Sequence, residues 1–187
     1  GFGWWKPVLC RRHLAALPEN GILVFSDAGN RLRQESAGTW QALLSAMQRF
    51  DVLAVLETEF VERRFTKRLT MDRFAAALRG TAAVDEGQFV SRLLVFRKTR
   101  AAERLLQAWE QLVRNINLVD ETLHPHGEDG FFQAHRHEQS VLSLLLKCAI
   151  SGRTIKIGRI TNLTARVLTL RSDVEASQLM DFARRRS

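Results

Sequence analysis

The sequence predicts an α/β layer fold in which helices flank a mainly parallel sheet. Three observations carry that expectation. Short apolar runs at Ile22 to Phe25, Val52 to Leu56 and Leu93 to Phe96 read as strands covered on both faces, as strands of parallel sheets are. Segments with apolar residues at helical spacing alternate with those runs, which is the pattern of strand-helix-strand units. The length of 187 residues, with 45% hydrophobic and 26% charged residues, suits one packed domain over 1–187 rather than a disordered or fibrous chain.

Pro7 is well placed as the first residue of a short helix whose apolar side is Val8, Leu14 and Leu17, and Pro18 with Asn20-Gly21 ends it. The first strand then runs to Asp27-Ala28-Gly29. Trp40, Leu43, Leu44 and Met47 fall at helical spacing ahead of the second strand. Thr70 can cap a helix carrying Phe74, Ala77 and Leu78, with Gly80 at its end. After the third strand, Thr99 opens a long amphipathic helix with the stripe Ala102, Leu105, Trp109, Leu112, Val113 and Ile116. Residues 122–137 hold Pro125, Gly127, Gly130 and a group of histidines, which suits an irregular loop. Residues 138–150 return to helix around Val141, Leu142, Leu145 and Leu146, and Gly152 stops it. The tail offers alternating Ile155 and Ile157, a strand at Val167 to Leu170, and a helix begun by the capping box Ser172-Asp173-Val174-Glu175.

The net charge of +8 is carried mostly by arginine and favours acidic partners such as nucleotide diphosphates, anionic glycans, lipid headgroups or nucleic acid. The arginines are dispersed, with local groups at Arg63, Arg64, Lys67, Arg68 and at Arg184, Arg185, Arg186. They are not interleaved with stacking aromatics, so specific nucleic-acid recognition is not expected. Cys10 and Cys148 are far apart and form no metal-binding pair. No apolar run approaches the roughly 20 residues that span a bilayer, and no signal-peptide pattern opens at residue 1. The expected location is cytoplasmic, the inner membrane surface included.

Three constellations could carry chemistry, and a zinc-binding histidine set competes with the second. Asp27-Ala28-Gly29 ends a strand, where α/β sheets place ligands and a carboxylate can hold a cation on a phosphate; Asp and Gly are also ordinary turn residues. His135-Arg136-His137-Glu138-Gln139-Ser140 precedes a leucine-rich helix, where a helix N-terminus and Arg136 attract anions; the same residues serve as an N-cap cluster. His124, His126, His135 and His137 could hold zinc, although no H-E-x-x-H helix exists. In Gly1-Phe2-Gly3-Trp4-Trp5-Lys6-Pro7 the tryptophans suit a sugar-stacking wall or a hydrophobic staple. Lys67, after Thr66 in a basic stretch, reads as a surface residue.

In order, Gly-Phe-Gly-Trp-Trp-Lys-Pro (1–7), Ile-Leu-Val-Phe-Ser-Asp-Ala-Gly (22–29), Phe-Thr-Lys-Arg (65–68), Gly-Gln-Phe (87–89) and His-Arg-His-Glu-Gln-Ser-Val-Leu-Ser-Leu-Leu (135–145) resemble bacterial GT-A-type glycosyltransferases related to polysaccharide-synthesis enzymes. The resemblance covers about residues 1–150 and leaves 151–187 as an unassigned extension. It implies a GT-A-like, Rossmann-like sheet, a nucleotide-sugar donor, and a glycan or lipid-linked acceptor. By the same resemblance Asp27 would meet the donor diphosphate through manganese or magnesium, with Gly29 in place of a second carboxylate and His137 as a further ligand. Glu138 and Gln139 would lie at the sugar as the catalytic pair, Lys67 and Arg136 would add charge at the phosphates, and Trp4, Trp5 and Lys6 would contact acceptor or sugar. In such enzymes the strands that bind the nucleotide base come before the opening motif, so by the resemblance the chain is either a fragment of such an enzyme or a degenerate member. From other classes, a non-catalytic module for nucleic acid or anionic glycan, and a metal-dependent hydrolase using Asp27, His135, His137 and Glu138, fit the same residues.

Overall fold

The structure is a computed structural model that describes residues 2–32, 37–78, 82–160 and 168–169. Helix α1 (Trp5–Ala16) leads into strand β1 (Ile22–Ser26), and β2 (Arg31–Leu32) and α2 (Ala37–Ala46) follow. Strand β3 (Val52–Val61) runs directly into α3 (Glu62–Phe65) and α4 (Arg68–Leu78). Strand β4 (Gly87–Arg97), α5 (Arg100–Val113), a 3-10 turn at Ile116–Leu118, α6 (His137–Ser151), β5 (Ile157–Ile160) and β6 (Leu168–Thr169) complete the order.

Four strands form one sheet in the order β1-β4-β3-β5, and β2 pairs with β6 in a separate ribbon. The sheet is mixed, which corrects the mainly parallel expectation. β4 pairs antiparallel with both β1 and β3, and only β3 with β5 is parallel, so β1, β3 and β5 point one way and β4 the other. The apolar runs misled because they carry no record of strand direction, and the first of them, at the sheet edge, is not covered on both faces: Phe25 is buried but Val24 is 39% exposed. Along β3, Val52 and Ala54 join one apolar cluster while Leu53 and Val55 join the other. The first cluster takes in Cys10 and Leu14 of α1, Phe74 of α4, Leu106 and Trp109 of α5, and Leu142 of α6. The second is closed by Leu43 and Met47 around α2. Helices thus cover both faces of a sheet that is not parallel.

The element boundaries show which local signals held. Thr99 caps α5 by accepting a hydrogen bond from the Ala102 amide at 3.2 Å. That helix stops at Val113, so Ile116 falls in the 3-10 turn and is 52% exposed rather than part of the buried stripe. Thr70 does not cap α4. The helix starts at Arg68, whose amide donates to Glu128 Oε2 at 2.6 Å, while buried Thr70 donates its hydroxyl to the Leu118 carbonyl at 3.0 Å. A carboxylate from a distant loop supplies the cap. Gly152 ends α6 as expected, with the left-handed residue one place later at Arg153, φ 50°. Gly80, Val167, Leu170 and the Ser172 to Glu175 capping box lie outside the described residues.

Where β3 and β4 fall out of register, between Glu57 and Val61, Gly87 packs directly on the β3 backbone. A Cβ there would stand 2.1 Å from the Glu57 carbonyl oxygen, and backbone yields less readily than a side chain. Gly87→Ala is expected to destabilise by about 1–3 kcal/mol or more, whereas Gly130→Ala, with open space at its Cβ, stays within about 0.5 kcal/mol of wild type. Urea unfolding of the two variants checks the contrast, and equal midpoints would contradict the close approach.

Candidate active site at the carboxyl ends of the first and third strands

Asp27 follows β1 and Glu62 follows β3, so the two carboxylates leave the sheet at the end toward which both strands point. The start of α6 reaches the same end. On α1, Lys6, Cys10 and Leu14 recur every four residues and are all buried, which places a lysine at the top of an otherwise apolar stripe. Gly3 turns the chain into that helix at φ 72°, and its carbonyl accepts from the Lys6 amide at 2.9 Å. Between Ala54 and Val55 the partner on β4 jumps from Leu94 to Val90, so the ladder with β3 skips Ser91, Arg92 and Leu93. Such irregularities re-aim side chains, and here Ser91 turns toward α1 and α6.

The Lys6 ammonium is the meeting point. Its Nζ lies 2.9 Å from Glu138 Oε1, 3.1 Å from Ser91 Oγ and 3.2 Å from Asp27 Oδ1. Ser91 Oγ also donates to Glu138 Oε1 at 3.0 Å. One fixed cation therefore separates two carboxylates, and it offsets the repulsion they would feel in a poorly solvated site. The Glu138 side chain is 9% exposed and that of Asp27 35%, so Asp27 is the carboxylate that faces outward. Gly3 lies against the Glu138 carboxylate so closely that an added Cβ would be 2.3 Å from Cδ, which excludes a side chain there on space as well as on φ. These groups open on a cleft of about 390 Å³ that Phe2, Trp5, Asn30, Arg92 and His137 also line. Its Asp27 side is pinned to β4: the Asp27 amide donates to the Arg92 carbonyl at 2.9 Å and Asn30 Nδ2 donates to the same oxygen at 3.0 Å. The His137 ring donates from Nδ1 to the Val119 carbonyl at 2.8 Å and packs 4.9 Å from the Phe2 ring.

Below the cleft runs a buried polar relay. Gln139 Oε1 accepts from the Ser91 amide at 3.4 Å, and its Nε2 donates to Gln88 Oε1 at 3.0 Å. The Gln88 amide in turn donates to Glu62 Oε1 and to Thr66 Oγ1, both at 2.9 Å. Glu62 is fully buried, and its other oxygen accepts from Ser143 Oγ and, at 2.7 Å, from Lys147 Nζ. A buried carboxylate is tolerable when it is paired and hydrogen-bonded this completely.

Of the residues singled out from the sequence, Trp5, Lys6, Asp27, His137 and Glu138 line one cleft, and Gln139 stands behind it in the relay. Gly29 sits in the turn beside Asp27, and exposed Trp4 is not a lining residue. Lys67 and Arg136 do not line the cleft either. Lys67 is buried rather than on the surface, and its ammonium donates to Asp120 Oδ1 at 2.6 Å, to the Asp120 carbonyl at 2.9 Å and to the Thr122 carbonyl at 3.1 Å. Arg136 stacks its guanidinium 3.9 Å from the Phe60 ring centroid. His135 has both ring nitrogens engaged with backbone, Nε2 donating to the Leu118 carbonyl at 2.9 Å and Nδ1 accepting from the Lys67 amide at 3.4 Å. The set proposed for a hydrolase is therefore not aimed at one point. Among the described residues no three His, Cys, Asp or Glu side chains gather to hold a metal ion. Ser91, Gln88 and Glu62 escaped notice as site residues, and only the Gly-Gln-Phe segment pointed toward Gln88. Burial pushes the Cys10 thiol up to about 12, which leaves it inert.

Burial pushes the His135 ring down to about 4 from its usual 6.5, outweighing the hydrogen bond to Leu118. Because the folded ring resists a proton that the unfolded ring accepts, this contribution to stability is intact above pH 6.5 and is lost as pH falls from 6.5 toward 4. Asp120, held down to about 2 by the hydrogen bonds from Lys67 and Thr122, adds stability above its usual 3.8 that is lost toward pH 2. His135→Gln, which keeps a donor for Leu118, is expected to flatten the first window and leave the second. Tm measured against pH on both proteins checks this, and an unchanged slope between pH 6.5 and 4 would assign that window to another group.

No protein-family model, curated protein or solved structure matches the chain, so the reading of this cleft rests on its own residues.

Proposed function

We propose that the chain is a GT-A-like glycosyltransferase domain that moves a sugar from a nucleotide-sugar donor to a glycan or lipid-linked acceptor. The observation that carries this reading is the convergence of Lys6, Asp27 and Glu138, from three separate segments, on one cleft at the carboxyl end of β1. In net sugar transfer the acceptor hydroxyl oxygen becomes bonded to the anomeric carbon and the bond from that carbon to the phosphate oxygen breaks; the departing diphosphate keeps the electron pair, and the hydroxyl proton leaves to solvent or to the diphosphate. Stabilising that developing charge is the main catalytic demand. Lys6 meets that charge as a hydrogen-bond donor rather than as net positive charge, since Asp27 and Glu138 already neutralise it, and Asp27 draws its ammonium toward the open side of the cleft. Glu138, held rigidly by Lys6, Ser91 and the hydrogen bond from Trp109 Nε1 to its carbonyl, orients a hydroxyl of the transferred sugar or of the acceptor. Phe2 and Trp5 give the cleft the apolar wall on which a sugar ring packs.

The divalent cation that the resemblance implies does not fit this arrangement, because the space between the two carboxylates is taken by the Lys6 ammonium. The reading therefore routes no step through a metal.

With a panel of nucleotide sugars, the protein is expected to release nucleoside diphosphate by transfer or slow donor hydrolysis. Asp27→Asn should lower turnover on the order of a hundredfold with little change in Tm, since Asp27 is the more exposed of the two carboxylates. Glu138→Gln should lower both turnover and stability, the latter by about 2 kcal/mol, since a charged buried hydrogen bond is weakened. A D27N protein as active as wild type, or no nucleotide released from any donor, would remove the proposal.

A further inference from the structure

A second cleft, of about 550 Å³, lies between the end of β3 with α3 and the loop at 130–133. Arg63, Arg64, Asp85 and Phe131 line it, and none of these belongs to the site above. Three features bear on its ligand. The Arg63 guanidinium is fixed, 3.0 Å from Asp85 Oδ1 and 4.5 Å from the Phe131 ring centroid. Arg64 is exposed and its guanidinium has no ion-pair partner among the described residues, while its carbonyl anchors the loop by accepting from the amides of Gln133 at 2.8 Å and Ala134 at 3.3 Å. Phe131 is 59% exposed, its ring lies against the Arg63 guanidinium, and its amide donates to Asp129 Oδ1 at 3.0 Å.

We infer that this cleft binds an anionic carbohydrate, with one sugar face on Phe131 and the carboxylate or phosphate group on Arg64. A preplaced exposed ring backed by a guanidinium suits the apolar face of a pyranose. A free guanidinium forks onto a carboxylate or phosphate, and Asp85 accepts from ring hydroxyls. The charge count separates this ligand from nucleic acid. Arg63 is neutralised by Asp85, so the cleft offers one uncommitted cation, whereas a nucleic acid brings a phosphate at every residue and gains its affinity by neutralising several. Binding here does not depend on catalysis, so this inference stands apart from the glycosyltransferase reading.

The test is calorimetric titration of the whole chain, without donor, using a glucuronate-containing hexasaccharide, a neutral glucose hexasaccharide, a sugar monophosphate, inorganic phosphate and a single-stranded oligonucleotide. The glucuronate probe is expected to bind at least tenfold more tightly than the neutral one. Arg64→Gln should weaken it tenfold or more and Phe131→Ala fivefold or more. Arg68→Gln, which removes an equal charge from a residue that faces Asp72 outside the cleft, should change it less than twofold. Preference for the sugar monophosphate over the glucuronate probe, with the same variant pattern, names phosphate as the anion and supports the site. Equal losses in the Arg64 and Arg68 variants, inorganic phosphate binding as well as the sugars, tighter binding of the oligonucleotide, or no binding of either anionic sugar overturns it. Because Arg64 and Phe131 expose their side chains, their variants fold, which a melting curve verifies. A protein that releases no nucleotide from any donor yet binds the probe with this variant pattern separates failure of the transferase reading from failure of this one.

Discussion

The Lys6 ammonium is the interaction on which the rest of this arrangement depends. It joins the first turn of α1, the end of β1, the irregular stretch of β4 and the first turn of α6 through one atom within 3.2 Å of Asp27, Ser91 and Glu138. Glu138 and Ser91 are buried and Asp27 is partly so, and each alone would be a poor choice there. Without the ammonium, two carboxylates would face each other beside a buried hydroxyl. With it, they form a set that costs less to desolvate than its parts. Gly3 follows from the same constraint, because the chain entering α1 must pass over the Glu138 carboxylate with no room for a Cβ.

The relay around Glu62 extends this logic into the sheet. Glu62 leaves the end of β3, Gln88 sits on β4, and Ser143 and Lys147 stand one turn apart on α6, so a single carboxylate fixes the helix against two strands. Lys147 also donates to the Ala83 carbonyl at 2.7 Å and ties in the segment before β4. Apolar packing sets how closely α6 lies on the sheet, but it tolerates sliding. A hydrogen-bonded charge does not, and the register it fixes is what aims Glu138 and Gln139 at Ser91.

Legibility in the sequence followed the range of the signal. The Thr99 cap and the amphipathic stripe of α5 are encoded within one helix, and both were readable. Val52 to Val55 and Leu93 to Phe96 were readable as buried strands, whereas Ile22 to Phe25 is an edge strand on which Phe25 is buried and Val24 is 39% exposed. Their direction was not, because pairing of β4 with both β1 and β3 is a property of chain return and leaves no mark on side-chain pattern. The cap of α4 was invisible for a related reason: its acceptor is Glu128, far along the chain. Among site residues, Asp27 and Glu138 stood out as carboxylates at element ends. Lys67 did not stand out as buried, because its partner Asp120 is distant in sequence. Ser91 and Gln88 were hidden inside a strand, where a polar residue reads as a solvent-facing position unless its partners are known.

The direction of β4 also decides where chemistry can sit. Since β1 and β3 point the same way with β4 reversed between them, the end where both strands finish is the end where β4 starts. Carboxylates that follow strands, Asp27 and Glu62, therefore meet residues near the beginning of β4, Gln88 and Ser91, and the helix returning from α5 delivers Glu138 to the same edge. A fully parallel sheet would instead place a loop and a helix between each pair of strands, holding those ends apart. The reversed strand lets polar groups from β3, β4 and α6 touch directly inside the protein. At this end one cleft lies beside Asp27 and another beside Arg64, and they are lined by different residues.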